Sequence, residues 1–339
     1  MIIGLHDIKN VLRLYEINSD VISHEFFFSR FNEDTSELKA IIKVELCDGN
    51  MLVIKFLHEA NHPHGVIEEQ SRFSEHLRAR GIITPKRYCL GNDYCLGNDY
   101  CLTYAAGGLT LDVTVEDYLG EEIKTIDVSL AYRIGQLMGR MHNIAENDNL
   151  HINANTIFNV AGYNEVSGYE RFKELGNAGL IDRETFERIC SIYEYRLHRI
   201  MTVWHSLPRY AVQGDCSINN LTYVGDQLGI FDYNIAGEET LIGDMILEGL
   251  LTANEMDLAE NLNDSVRPSL FDTFVDGYIS VRALSVDEKM VFDDILAISR
   301  SMWFTGIKYN DNSLEKLIEN NEHERAAELL RRIYRDISM

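Results

Sequence analysis

Short β-branched and aromatic runs dominate the first hundred residues. His24–Phe31 (HEFFFSRF), Ala40–Leu46 (AIIKVEL) and Met51–Leu57 (MLVIKFL) read as strands. Cys47-Asp48-Gly49-Asn50 joins the last two, and an Asp-Gly pair between such runs predicts a hairpin. The pattern then turns helical over Val66–Arg80, with Val66, Phe73 and Leu77 apolar, Gly81 as C-cap and Pro85 beyond. Residues 88–102 hold the hexamer YCLGND twice and begin a third copy. Its turn-forming Gly-Asn-Asp and strand-like Tyr-Cys-Leu predict a tandem duplication that lengthens a surface connection, with no chemistry of its own. Ala105-Ala106-Gly107-Gly108 is small and flexible and reads as a hinge. Beyond it helices prevail: Ile134, Leu137, Met138 and Met141 mark one buried face, and residues 183–205 form another helical stretch. A strand–loop–strand segment follows at 210–232, and 245–339 is mostly helical, ending in Leu314–Ile337. Strands first and helices later predict an α+β chain of two lobes, 1–105 and 106–339.

Composition narrows the class. Hydrophobic residues make up 45% of the 339 and charged residues 25%, an ordinary globular balance. No run of 18 apolar residues occurs, and the N-terminus has one basic residue, Lys9, and no small-residue cleavage site, so neither a membrane span nor a secretory signal is expected and a cytoplasmic location is. Cys89, Cys95 and Cys101 belong to the repeat and Cys47, Cys190 and Cys216 are scattered, so all six read as free thiols. Net charge is −23, which opposes nucleic acid as a partner. Residues 1–105 hold 11 basic and 15 acidic side chains and the remainder 20 and 39, so the second lobe suits a cationic small molecule or is simply a solvated surface.

Residues 210–232 read YAVQGDCSINNLTYVGDQLGIFD. Two apolar runs each end in a polar loop headed by an acid, Asp215 and Asp232. Leu221–Val224 and Leu228–Phe231 flank Gly225-Asp226-Gln227, a hairpin that sets Asn220 and Asp232 side by side at its open end. Two oxygen-bearing side chains there suit Mg²⁺, and a separate carboxylate can take a proton from an attacking hydroxyl. The spacing D-x4-N, then D after an apolar strand, is that of a kinase catalytic loop and metal aspartate. The bland alternative is a turn-rich hairpin using Asp and Asn as turn residues.

QGDCSINNL followed by GIFDYNIAG resembles the HGDxHxxNxL…IDFxxAG segment of the aminoglycoside phosphotransferase and choline-kinase-like enzymes. The resemblance implies a bilobal protein-kinase-like fold and transfer of the ATP γ-phosphoryl group to a small-molecule hydroxyl. It implies that Asp215 is the catalytic aspartate and that Asn220 and Asp232 hold Mg²⁺. Such a fold needs a strand lysine on the phosphates and a helix glutamate to orient it. Lys55, alone among apolar neighbours, and Glu69 fit those places, with Glu68 as the fallback; a lysine that snorkels to solvent is the alternative. Adenine is then expected at the hinge, Thr103, Tyr104, Ala105 and Ala106. The chain departs from the family at Gln213 and Ser217, where the family has histidines, in the glycine-free loop Asn32–Ser36, and at Met245, which stands where the family has proline.

Other clusters carry less. His58, His62 and His64 suggest metal, but Pro63 breaks the spacing and no Cys or acid completes a credible set. His142 ends a buried stripe and reads as packed or capping. Trp204 and Trp303 read as core aromatics, with Trp303 also a candidate for an acceptor pocket. The expectation is an ATP- and Mg²⁺-dependent small-molecule kinase whose acceptor is an aminoglycoside, an amino-alcohol or a neutral metabolite. Its rival is a catalytically silent, nucleotide-binding relative acting as sensor or scaffold. The sequence sets no oligomeric state.

Overall fold

A computed structural model describes residues 3–32, 34–59, 63–90, 99–156 and 167–339. In chain order the elements are α1 (Leu5–Leu14), β1 (Val21–Phe31), β2 (Leu38–Leu46), β3 (Met51–His58), α2 (His64–Ala79), β4 (Leu102–Ala106), β5 (Leu109–Asp117), α3 (Val128–Asn147), α4 (Tyr169–Asn177), α5 (Arg183–Val203), β6 (Arg209–Val212), β7 (Leu221–Val224), β8 (Gln227–Ile230), β9 (Gly237–Thr240), α6 (Leu241–Asn254), α7 (Arg267–Ile279), α8 (Val286–Ser301), α9 (Phe304–Ile307), α10 (Leu314–Glu319) and α11 (His323–Ser338). No helix among the described residues is long and apolar enough to cross a membrane. The chain divides into two compact units, residues 1–124 with 150–154 and 218–237, and residues 125–149 with 155–217 and 238–339.

The first unit is built on an antiparallel sheet of order β1-β2-β3-β5-β4. Period-two alternation sends Ile54 and Phe56 of β3 and Val113 and Val115 of β5 to one face, where Ile8, Val11 and Leu12 of α1 cover them. Tyr15, just past α1, donates from its hydroxyl to Val113 O at 2.7 Å and to Tyr100 O at 2.8 Å. The other face carries Lys55 on β3 and its cross-strand neighbour Thr114 on β5. The β2–β3 hairpin forms as expected, with Gly49 at φ +85° and Asp48 Oδ1 accepting from Asn50 N at 3.0 Å.

The expected hinge is instead a turn. Ala106 pairs with Leu109, and Gly107 and Gly108 have φ of +58° and +82°. Two consecutive left-handed residues make the tight hairpin turn that glycine adopts without strain, so small flexible residues here close β4 on β5. The first unit therefore takes in β5 and runs to Lys124, past the expected boundary at 105, and it regains 218–237 from the later chain. Residues 91–98 of the repeat lie outside the described residues. Its flanks are anchored: Tyr88 N donates to Val115 O at 2.9 Å, Leu90 N to Asp99 O at 2.8 Å, and Tyr88 and Leu90 pack on the core.

The second unit is mainly helical. Asp127 caps α3 by accepting from Leu130 N, and Ser285 and Glu288 form a capping box at α8. Helices α3 and α7 cross at glycines on both sides. A Cβ on Gly135 would fall 2.0 Å from Phe274 O, and one on Gly277 would fall 2.1 Å from Tyr132 O. Helix α6 is buried on nearly every face and forms the centre of this unit.

Candidate active site

Lys55 is 3% exposed. Its Nζ lies 3.1 Å from Glu116 Oε1 and 3.2 Å from Asp232 Oδ1. The second oxygen of Glu116 lies 2.9 Å from Arg87 Nε, also buried. Two cations thus meet two carboxylates inside the first unit. Burying a charge is tolerated only with such partners, and removing any one would strand the others. Period two explains the convergence: Glu116 lies two residues beyond Thr114, so it shares the face that Lys55 uses.

Asp232 follows β8 at φ +59°, a conformation that Asp adopts more readily than most residues. Burial pushes its carboxyl upward, but Lys55, with Lys39 beyond, outweighs this and holds it below the usual range. Strands β7 and β8 pair Leu221 with Ile230, and Gly225-Asp226 closes them with Gly225 at φ +61°. The backbone carbonyl of Asn220, a 7% exposed residue, accepts from Phe231 N at 2.9 Å. Asn220 is therefore set beside the residue preceding Asp232.

Glu69 does not meet Lys55. Its Oε2 accepts from Asn153 N at 2.6 Å. Glu68, the fallback, accepts from Cys101 N at 2.6 Å and pairs with Arg72. The buried stripe of α2 includes Ile67, Gln70, Ser71, Ser74 and Leu77. Glu69 is off that stripe, and Glu116 takes the place expected of it. Gln70 has a role that sequence reasoning missed: its Nε2 donates to Asn234 O at 2.8 Å and Ala236 O at 3.0 Å, pinning the segment after Asp232.

Thr103, Tyr104, Ala105 and Ala106 form the edge strand β4. Tyr104 donates to Asp7 Oδ1 at 3.1 Å and packs edge-on against Phe56, towards α1. These residues do not form the connection between the units; the chain leaves the first unit after β5, through 118–124. There Leu119 and Ile83 close on Gly229, where a Cβ would lie 2.9 Å from both side chains.

In the second unit, Asp215 follows β6 and Gly214, which has φ +78°. Asp215 N donates to Gln213 Oε1 at 2.8 Å, and Ser217 N donates to Asp215 Oδ1 at 3.3 Å. Gln213 is 2% exposed, so its amide supports the loop backbone from inside. Cys216 N donates to Glu248 Oε2 at 2.8 Å. Burial, then Asp244 and Asp215, push the Glu248 carboxyl well above its ordinary range. Asp244 Oδ2 lies 3.0 Å from His142 Nε2, and His142 Nδ1 lies 2.8 Å from the Tyr278 hydroxyl. His142 is thus packed in a polar chain linking α6, α3 and α7. The signal for Glu248 and Asp244 is two acids at i and i+4 in LIGDMILEGLLTAN, an otherwise apolar helix.

A cavity of about 1110 Å³ opens in the second unit, bordered by Trp303 and Glu255. Trp303 Nε1 donates to Glu255 Oε1 at 2.5 Å. Six arginines line it against three acids, and four of the arginines belong to α11. The lining is basic although the unit is acidic.

No family model matches the chain, and no curated protein matches it. Solved structures do. A microcompartment-associated aminopropanol kinase superposes with TM-score 0.59 at 11% identity, over 98% of this chain and 95% of its own. An amicoumacin kinase, in complex with AMP-PNP, Ca²⁺ and Ami, gives 0.56 at 13%, over 96% and 92%. An aminoglycoside phosphotransferase from Alicyclobacillus acidocaldarius gives 0.53 at 10%, over 92% and 93%. The chain has their α+β, protein-kinase-like fold.

Proposed function

We propose that this chain is an ATP- and Mg²⁺-dependent phosphotransferase that moves the γ-phosphoryl group to a hydroxyl of a small molecule. The observation that carries the reading is Lys55, a buried lysine held between Glu116 and Asp232. A charge set of that kind is costly to bury and gains its use when phosphates enter beside it. Lys55 would hold the nucleotide phosphates, with Glu116 as its positioning partner. Asp232, kept ionised by Lys55, and Asn220 offer the hard oxygen donors that Mg²⁺ prefers, and they would hold it. Bound there, the ion supplies neutralisation of phosphate charge. Asp215 would accept the hydroxyl proton as the acceptor oxygen bonds to phosphorus and ADP leaves with the electrons of the broken bond. Gln213 and Glu248 would hold the Asp215 loop. Adenine would lie along Tyr118–Gly120, one strand later than Thr103–Ala106.

The acceptor would be a cationic aminoglycoside or an amino-alcohol, in keeping with the acidity of the second unit. The arginine-lined cavity is a poor match for a polycation. ATP dependence fits a cytoplasmic site of action. The test is ATP turnover with and without Mg²⁺ over a panel of aminoglycosides, amino-alcohols and neutral sugars. Acceptor-dependent ADP release that needs Mg²⁺ is the expected result, and ATP binding with no turnover on any acceptor would favour the silent relative.

A further inference from the structure

Three potential ligands converge on the first unit from separate elements. His64 is the first residue of α2, Cys101 immediately precedes β4, and Asp112 lies on β5. His64 Nδ1 is 2.7 Å from Asp112 Oδ1, and the ligand atoms of all three residues lie within 4.8 Å of one another. No other group of three His, Cys, Asp or Glu donors comes together in this way among the described residues. Asp112 and Cys101 complete the set that the histidine-rich stretch lacked in sequence. His58 is outside the group, its Nδ1 2.8 Å from Thr110 O, and His62 lies outside the described residues.

The surroundings combine a protected ligand with an open side. Cys101 is 2% exposed and shares a small apolar cluster with Leu57 and Ile67. His64 is exposed. Burial above all, and then Asp112 and Glu68, push the Cys101 thiol upward, so it is not an activated nucleophile. Pro63 caps α2 and fixes where His64 begins. One thiol, one imidazole and one carboxylate form a mixed sulfur, nitrogen and oxygen set. Zn²⁺ takes such sets tetrahedrally, whereas Mg²⁺ and Ca²⁺ prefer oxygen alone.

We propose that His64, Cys101 and Asp112 form a mononuclear Zn²⁺ site whose fourth position is open to water. On binding, the Cys101 sulfur bonds to the ion and its proton passes to solvent, while neutral His64 and the Asp112 carboxylate donate lone pairs. The site would staple the start of α2 to the point where the repeat re-enters the sheet. Length variation in the repeat would then be kept from the strands that carry Lys55 and Glu116. The proposal does not depend on the phosphotransferase reading.

The test uses the full chain, stripped with a chelator and titrated with Co²⁺. One equivalent should give a thiolate-to-cobalt charge-transfer band with tetrahedral ligand-field bands, and Zn²⁺ should abolish both. Cys101→Ser should remove the charge-transfer band, and His64→Gln and Asp112→Asn should each weaken binding at least tenfold. Zn²⁺ should also raise the melting temperature of the wild-type chain and not that of Cys101→Ser. A wild-type chain with no charge-transfer band, or a band that survives in Cys101→Ser, would overturn the site. If Cys101→Ser does not fold, His64→Gln decides, because His64 is exposed: undiminished Co²⁺ affinity in that variant overturns the proposal.

Discussion

Lys55 brings a charge into the apolar middle of a strand, and what it finds there sets the rest of the site. Glu116 and Asp232 both reach it from later in the chain, and Arg87 backs Glu116. Breaking a buried pair by deleting one member costs about 3–5 kcal/mol. Lys55→Ala should lower stability by an amount of that order and weaken ATP binding. A double-mutant cycle should find Lys55 coupled to Glu116 by more than about 1 kcal/mol and to Glu69 by less than about 0.5 kcal/mol. Denaturant midpoints of the three single and two double variants, against the wild type, measure both terms, and a Glu69 coupling as large as that of Glu116 would contradict the assignment. The need of Lys55 for a partner is legible in MLVIKFL. The partner's identity is not, because Glu116 lies 61 residues away and reaches Lys55 only through strand pairing. A trace was present: Asp112, Thr114 and Glu116 alternate with Leu111, Val113 and Val115.

Glu239 gives the residue scale a pH dependence. It is fully buried and accepts from Thr240 N and Oγ1, and burial lifts its carboxyl from 4.5 to about 7 against the pull of these bonds and of Arg209. The folded chain binds this proton more tightly than the unfolded chain. Stability from this group therefore falls as pH rises from about 4.5 and levels off above about 7, by about 3 kcal/mol in all. Glu239→Gln keeps the acceptor oxygen and removes the penalty. Its melting temperature should exceed the wild type's at pH 8 and match it near pH 4; equal melting at both would contradict the account.

At the scale of elements, flexibility and tight turning look alike in sequence. Ala-Ala-Gly-Gly serves either a hinge or a two-residue hairpin, and only the pairing of Ala106 with Leu109 decides for the hairpin. Helix α1 shows the opposite case. Ile8, Val11, Leu12 and Tyr15 follow i, i+3, i+4, i+7 spacing and are buried, so the spacing of apolar residues alone marks this helix. The motif hairpin β7–β8 was legible because its turn, strands and acids are adjacent along the chain, although Gln227, expected in the turn, pairs with Val224 and opens β8. The glycine crossing of α3 and α7 was not, since a glycine in a helix shows its purpose only against its partner. Gly135→Ala should force those helices apart and cost about 1–3 kcal/mol or more, read as a lowered urea midpoint with an unchanged slope. The repeat gives a second test. Deleting residues 89–94 leaves one YCLGND followed by YCL and keeps Tyr88 and Asp99, so the fold should survive. Deleting 88–99 removes Tyr88, whose hydroxyl donates to Asp117, and the Leu90–Asp99 closure, so its melting temperature should fall well below that of the shorter deletion.

Across the whole molecule, the net charge of −23 disfavours polyphosphate backbones, yet the first unit gathers Lys55 and Arg87 in its interior. On the proposed reading, this local placement of cations lets an acidic chain accept nucleotide phosphates. Asp215 and Asp232 fall in different compact units, and the segment 210–232 spans the stretch of chain where one gives way to the other. On the proposed reading, Asp215 serves transfer and not nucleotide binding. The direct measurement is Mg²⁺-dependent appearance of phosphorylated acceptor from ATP, by phosphorus NMR, in the wild type and in Asp215→Asn, with nucleotide affinity measured in parallel. The expected result is transfer by the wild type, a loss of about 10²–10⁴-fold in Asp215→Asn, and nucleotide affinity unchanged. Near wild-type transfer by Asp215→Asn would contradict it, as would a wild-type chain that binds ATP and phosphorylates none of the acceptors.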